Sequence, residues 1–186
     1  MIRTAAAPLL TPWTGPPGGA RGGGPATIGV TLHGRALPWN VWAEIRNPLE
    51  GHFFERFTPG TFLRSLARDR ARVKLLLDHG LDPRVARRPL GPLRSVYESG
   101  LGLDYEAGLL DVPYVAELVP GIRAGLFGMS VRFAVEAADV ARRPAGSELN
   151  PLGLEQRTYR RARLVELSLT AFPSYTGTSA DVRSRP

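Results

Sequence analysis

The stretch Gly125-Leu126-Phe127-Gly128-Met129-Ser130-Val131-Arg132-Phe133 decides how the rest of the chain is read. Two glycines bracket an apolar pair, and an alternating run follows, as in a half-buried strand. Glycine allows backbone angles and close approaches denied to other residues, so such a turn can present the Ser130 hydroxyl at a sheet edge. A lone serine is ordinarily solvated or bonded to its own backbone. Two other residues change its meaning: His79, closing Val73-Lys74-Leu75-Leu76-Leu77-Asp78-His79, and Glu166, inside Leu164-Val165-Glu166-Leu167-Ser168. A nucleophile, a base and an orienting carboxylate are the parts of a serine-hydrolase triad, which is recognised by roles and not by chain order.

Outward from the serine, the strand runs over 131–136, residues 137–151 form an irregular connection, and a return strand covers 156–170. Upstream, Asp111-Val112-Pro113 starts a helix running to about Ala124. Glu98-Ser99-Gly100 separates strands at 91–98 and 101–107 as a hairpin. Residues 80–90, with Pro83, Pro89 and Arg87-Arg88, read as a loop. Thr58 is a suitable N-cap and Pro59 a suitable first residue of a helix whose stripe is Phe62, Leu63 and Leu66. Phe53–Phe57 and Thr27–His33 read as strands. Residues 1–26, rich in Pro, Gly and Ala, form a flexible arm, 27–175 the folded domain and 176–186 a flexible tail. Many short strands with two helices and no βα alternation predict an α+β, mainly β fold, mostly an antiparallel barrel carrying helices.

At 186 residues and 43% hydrophobic, the chain can bury one core. Without cysteine, disulfides and thiolate metal sites are excluded. No apolar run approaches the roughly 18 residues of a membrane span, and Pro8 breaks the faint signal-peptide pattern of Ala5–Leu10. The net charge of +7 is almost all arginine, scattered among 17 acids except near 84–88 and 157–163. That distribution makes a polyanion-binding role a minor reading.

Period-two geometry assigns faces. Val73, Leu75, Leu77 and His79 share one face of their strand, with Asp78 pointing away. Leu164, Glu166, Ser168 and Thr170 share one face of the return strand. A buried Glu166 needs a partner. Antiparallel pairing of the two late strands brings it near Ser130, with His79 completing the group from a third strand. Each residue also has a plain structural reading: a backbone partner for His79, and Arg94 or Arg132 as the ion pair of Glu166.

The ordered elements Glu55-Arg56-Phe57-Thr58-Pro59-Gly60-Thr61-Phe62, Leu76-Leu77-Asp78-His79, Gly128-Met129-Ser130-Val131-Arg132-Phe133, Leu164-Val165-Glu166-Leu167-Ser168-Leu169 and Phe172-Pro173-Ser174-Tyr175 resemble the prohead (procapsid maturation) serine proteases of tailed phages. Leu90-Gly91 and Gly100-Leu101 fall where that family has similar residues, and the match spans about 27–180. The sequence departs at Pro173-Ser174-Tyr175, where the family has Pro-Ala-Tyr/Asn, and at Gly29–Gly34, an altered first-strand motif.

The resemblance implies a fold similar to the herpesvirus assembly protease, a β-barrel with surrounding helices. The family's serine falls on Ser130, its histidine on His79, and the acidic residue of its Leu-x-Glu-Val-Ser strand on Glu166. A Ser-His-His arrangement is disfavoured, since His33 and His52 lie far from the late strand in sequence. Backbone amides around Gly128, Met129 and Val131 are the oxyanion candidates. The implied activity is endopeptidase cleavage of scaffolding protein, major capsid protein and the protease itself, inside the immature head in the host cytoplasm. No metal, cofactor or membrane partner is expected, nucleic acid is disfavoured, and homodimerisation stays open. The rival reading is a non-catalytic capsid-assembly scaffold module with the same fold.

Overall fold

A computed structural model describes residues 26–184 and, as backbone, the two-residue strand β1 (Ile2–Arg3). The expected flexible arm therefore lies almost wholly outside the described residues. The remaining elements are β2 (Thr27–Pro38), β3 (Ala43–Asn47), β4 (Gly51–Phe57), α1 (Leu63–Asp69), β5 (Lys74–Leu77), β6 (Leu93–Glu98), β7 (Gly102–Leu110), α2 (Pro113–Ala116), α3 (Val119–Arg123), β8 (Gly128–Ala141), β9 (Gln156–Thr170) and β10 (Asp181–Ser184). The fold is mainly β with few helices.

Two sheets carry it. One runs β1-β8-β9-β4-β3, with β5 also paired to β9; the other runs β10-β2-β7-β6. The expected closed barrel is corrected: among the described residues no hydrogen-bonded seam joins the two sheets. Nor is the pairing wholly antiparallel, because β4 and β5 both lie parallel to β9. The stretch read as a flexible tail carries β10, paired with β2, and Ala180 is buried.

Strand β9 organises the first sheet. Its first residues pair with β4 and its last with β5, which leaves its middle without a strand on that side. The approach to α1 fills the gap. Thr58 and Thr61 hydroxyls donate to the Tyr159 carbonyl at 3.1 and 2.9 Å, the Ala162 amide donates to Thr61 O at 2.9 Å, and the Leu164 amide donates to Ser65 Oγ at 2.9 Å. Unpaired backbone groups buried there would each carry a desolvation cost, so these contacts complete the ladder.

The same contacts explain why α1 begins at Leu63 and not at Pro59. Thr58 is committed to Tyr159, and Gly60 has φ +91°, outside the helical region. The amides of Gly60 and Phe62 go to the two Glu98 oxygens, each at 2.6 Å, so a carboxylate from β6 binds the helix entry. The expected second helix is broken into α2 and α3, the second with Pro120 in its first turn.

The core centres on Phe57 at the end of β4. Its ring meets Phe62 at 5.5 Å, Phe133 at 4.8 Å, Tyr159 at 4.9 Å and Tyr175 at 5.9 Å between centroids. Thus β4, the helix entry, β8, β9 and the segment after β9 are packed through one side chain. Beside it, the buried Glu55 carboxylate accepts the Tyr159 and Tyr175 hydroxyls, each at 3.0 Å. Burial is the dominant influence on Glu55, pushing its pKa up to about 7 against the opposing tyrosine hydrogen bonds and the Arg157 charge.

Candidate active site

Antiparallel pairing of β8 with β9 sets Ser130 opposite Ser168 and Arg132 opposite Glu166. These four polar residues share one face, while Met129, Val131, Phe133, Leu167 and Leu169 line the other and enter the core. The face assignment for Leu164 is corrected by a β-bulge. Arg132 pairs with Glu166 but Phe133 with Leu164, leaving Val165 as the extra residue. The bulge lets Leu164 turn into the core with Leu167 while Glu166, between them, stays on the polar face. Ser65 holds the Leu164 amide beside it.

His79 reaches this face by a different route from the one its sequence suggests. Strand β5 stops at Leu77, and Asp78, His79 and Gly80 then take φ of 41°, 56° and 72°. Successive left-handed residues reverse the chain, so His79 does not prolong the apolar row of Val73, Leu75 and Leu77. It crosses to the polar face instead. Two contacts hold the turn: the His79 amide donates to Ser168 Oγ at 2.6 Å, and Arg132 Nη2 donates to the His79 carbonyl at 3.1 Å.

The side chains then form a line. His79 Nε2 lies 3.0 Å from Ser130 Oγ, and His79 Nδ1 lies 2.6 Å from Glu166 Oε1. Glu166 Oε2 forms an ion pair with Arg132 Nη1 at 3.0 Å. Glu166, Arg132 and Ser168 are buried, and the His79 side chain is 11% exposed. Burial holds the Arg132 guanidinium below its ordinary pKa; the Glu166 charge opposes this and Arg87 adds to it. With Glu166 accepting at Nδ1, the imidazole carries its proton there and offers the Nε2 lone pair to the Ser130 hydroxyl. Such an arrangement can draw the proton from the hydroxyl as the oxygen attacks an electrophilic carbon.

The structure brings together all three residues singled out from the sequence. Of the two plain readings one is present as well, since Glu166 does pair with Arg132; the His79 ring nitrogens meet the Ser130 and Glu166 side chains and not a backbone group. Arg94 is elsewhere, donating to Thr31 Oγ1 at 2.8 Å. Gly128, Met129 and Val131 lie inside β8, after the turn at Gly125 (φ +69°), and the Met129 amide is occupied by Thr178 Oγ1 at 3.3 Å. Sequence reading missed the part Ser168 plays, and saw Arg132 only as an alternative partner. Both were legible in principle, since each alternates onto the serine or glutamate face of its strand.

Hydroxyl, imidazole and carboxylate in one hydrogen-bonded line, carried on a mainly β scaffold, are the parts of a serine peptidase. The chain belongs to the caudovirus prohead serine protease family, whose model matches residues 26–186. No curated protein matches it. Membership makes the chain a serine peptidase of phage capsid maturation, with capsid-related substrates and the phage capsid in the host cell as its setting. Among the described residues, no helix is long and apolar enough to cross a membrane.

Proposed function

We propose that this chain is the endopeptidase that cleaves scaffolding protein, major capsid protein and itself inside the immature head, by Ser-His-Glu acyl transfer. The observation that carries the mechanism is the continuous contact from Ser130 Oγ through His79 to Glu166, at 3.0 and 2.6 Å. Ser130 Oγ attacks the scissile carbonyl carbon as His79 Nε2 takes its proton. The imidazolium passes that proton to the leaving amine, and the C–N bond breaks. Water then enters, His79 takes a proton from it, and the acyl-serine ester is hydrolysed. Glu166 fixes the ring tautomer and stabilises the imidazolium without itself becoming protonated.

The tetrahedral oxyanion needs donors. Backbone amides near Gly128, Met129 and Val131 are the candidates, each oxyanion donor being worth about 3–4 kcal/mol in serine peptidases. Met129 must release Thr178 to serve. The test is co-expression with the neighbouring capsid protein as wild type and as Ser130→Ala, read by intact-mass spectrometry. Truncated products in the wild type that vanish in the variant support the reading, and their termini give the cleavage rule. Equal masses in both, with normal assembly, would sink it in favour of the non-catalytic scaffold.

A further inference from the structure

The left-handed turn at His79 costs backbone energy that something must offset. Asp78 and His79 are both non-glycine residues with positive φ, a conformation disfavoured through the Cβ–carbonyl clash. Turns of this kind persist where the surroundings over-determine them, and they cluster where geometry matters to function. Here two side chains on the β8–β9 ladder grip the turn from below. Ser168 takes the His79 amide, and Arg132 gives one guanidinium nitrogen to the His79 carbonyl and another to Glu166 Oε2.

Together these contacts close a ring: guanidinium to carboxylate, carboxylate to imidazole, imidazole through its own backbone to carbonyl, and carbonyl back to guanidinium. A single Arg132 side chain therefore fixes both the backbone and the ring partner of His79. By occupying Glu166 Oε2 it leaves Oε1 to face Nδ1. A lysine cannot reproduce this, because its ammonium is a compact point charge without the planar fork that spans two acceptors. The guanidinium is buried, and its Nε has no protein partner among the described residues. Its burial is thus accompanied by an unmet donor, whereas both terminal nitrogens are spent on the histidine and its carboxylate.

We propose that Arg132 is a positioning residue of the peptidase, whose guanidinium fork holds the Glu166 carboxylate and the His79 backbone in the one arrangement that aims Nε2 at Ser130. This rests on the Ser-His-Glu reading above. The buried Arg132 acts through His79 and Glu166, the two groups its terminal nitrogens meet. Loss of the fork frees the ring to rotate and the turn to relax. A misplacement of about 1 Å at reacting atoms can cost on the order of 100-fold in rate.

The experiment uses the full chain and measures two things: the second-order rate of Ser130 labelling by a fluorophosphonate probe, and kcat and KM on a peptide spanning the cleavage site found by mass spectrometry. The variants are Arg132→Met, Arg132→Lys, Glu166→Gln and the double variant Arg132→Met/Glu166→Gln. Arg132→Met is expected to slow labelling and kcat on the order of 100-fold with KM within about threefold. Arg132→Lys is expected to recover only part of that loss.

In the Glu166→Gln background, the Arg132 change is expected to add less than about threefold, because the two act as a unit. A merely structural arginine would instead give multiplying losses, or a loss that tracks thermal stability. Should Arg132→Met fail to fold, Arg132→Lys and the charge-free double variant carry the same comparison. The proposal is overturned if Arg132→Lys or Arg132→Met labels within twofold of wild type while Glu166→Gln is slow, or if the losses multiply. An unlabelled wild type, or Glu166→Gln labelling at the wild-type rate, overturns the triad reading itself.

Discussion

Replacing Glu55 by glutamine tests the electrostatics of the core next to the nucleophile strand. The Glu55 carboxyl is buried, and desolvation raises its pKa from the ordinary 4.5 to about 7. A folded pKa above the unfolded one means that the folded state binds the proton more tightly. The resulting stabilisation is complete below about 4.5 and is lost as pH climbs through about 7. One pKa unit is about 1.4 kcal/mol, so the loss across this window is about 3 kcal/mol. Glutamine imitates the neutral acid, with an oxygen to accept from one tyrosine hydroxyl and an amide to donate to the other.

The assay is urea unfolding of wild type and Glu55→Gln at half-unit steps from pH 4 to 8, because only the difference between them isolates this residue. Near pH 4 the gap is a constant set by the two side chains. Toward pH 8 it is expected to move by about 3 kcal/mol in favour of Glu55→Gln. A gap flat within about 0.5 kcal/mol, or one that moves in favour of wild type as pH rises, refutes the reasoning: the tyrosine bonds and Arg157 would then balance burial in the first case and outweigh it in the second.

Two further predictions test how the site is held. Ser65→Ala removes the side chain that takes the Leu164 amide at the β9 bulge, and is expected to cost about 1–3 kcal/mol in urea unfolding; an unchanged midpoint would mean that another group takes the amide. Gly128→Ala would put a Cβ 2.8 Å from both Pro173 Cγ and Thr178 Oγ1. It should displace the start of β8 and slow fluorophosphonate labelling by about tenfold or more, and labelling at the wild-type rate would show that those neighbours yield without moving Ser130.

How much of this was legible beforehand follows from what each feature depends on. Strand β9 was read with its observed ends, and β8 and the β6–β7 hairpin were recognised, because alternation and turn residues are local signals. The pairing of β8 with β9 followed from one irregular connection. Ser130, His79 and Glu166 were singled out by residue type and family resemblance, and the structure brings Ser130 and Glu166 each within hydrogen-bonding distance of His79.

Composition and short-range pattern were enough for the mainly β character, and residue type together with the family resemblance for the three side chains to watch; β3 had no reading, and β10 fell in the stretch read as a flexible tail. Tertiary structure decided the rest. Helix α1 starts late because Thr58 and Thr61 serve a strand about a hundred residues away. Leu164 leaves the face of Glu166 because a bulge inserts Val165, a choice made by the partner strand and by Ser65. His79 leaves the face of Leu77 because two left-handed residues are tolerated where Ser168 and Arg132 wait to bind the turn. None of these has a local signal: each is a backbone group satisfied by a distant partner, and the chain bends to whichever arrangement leaves fewest such groups buried alone.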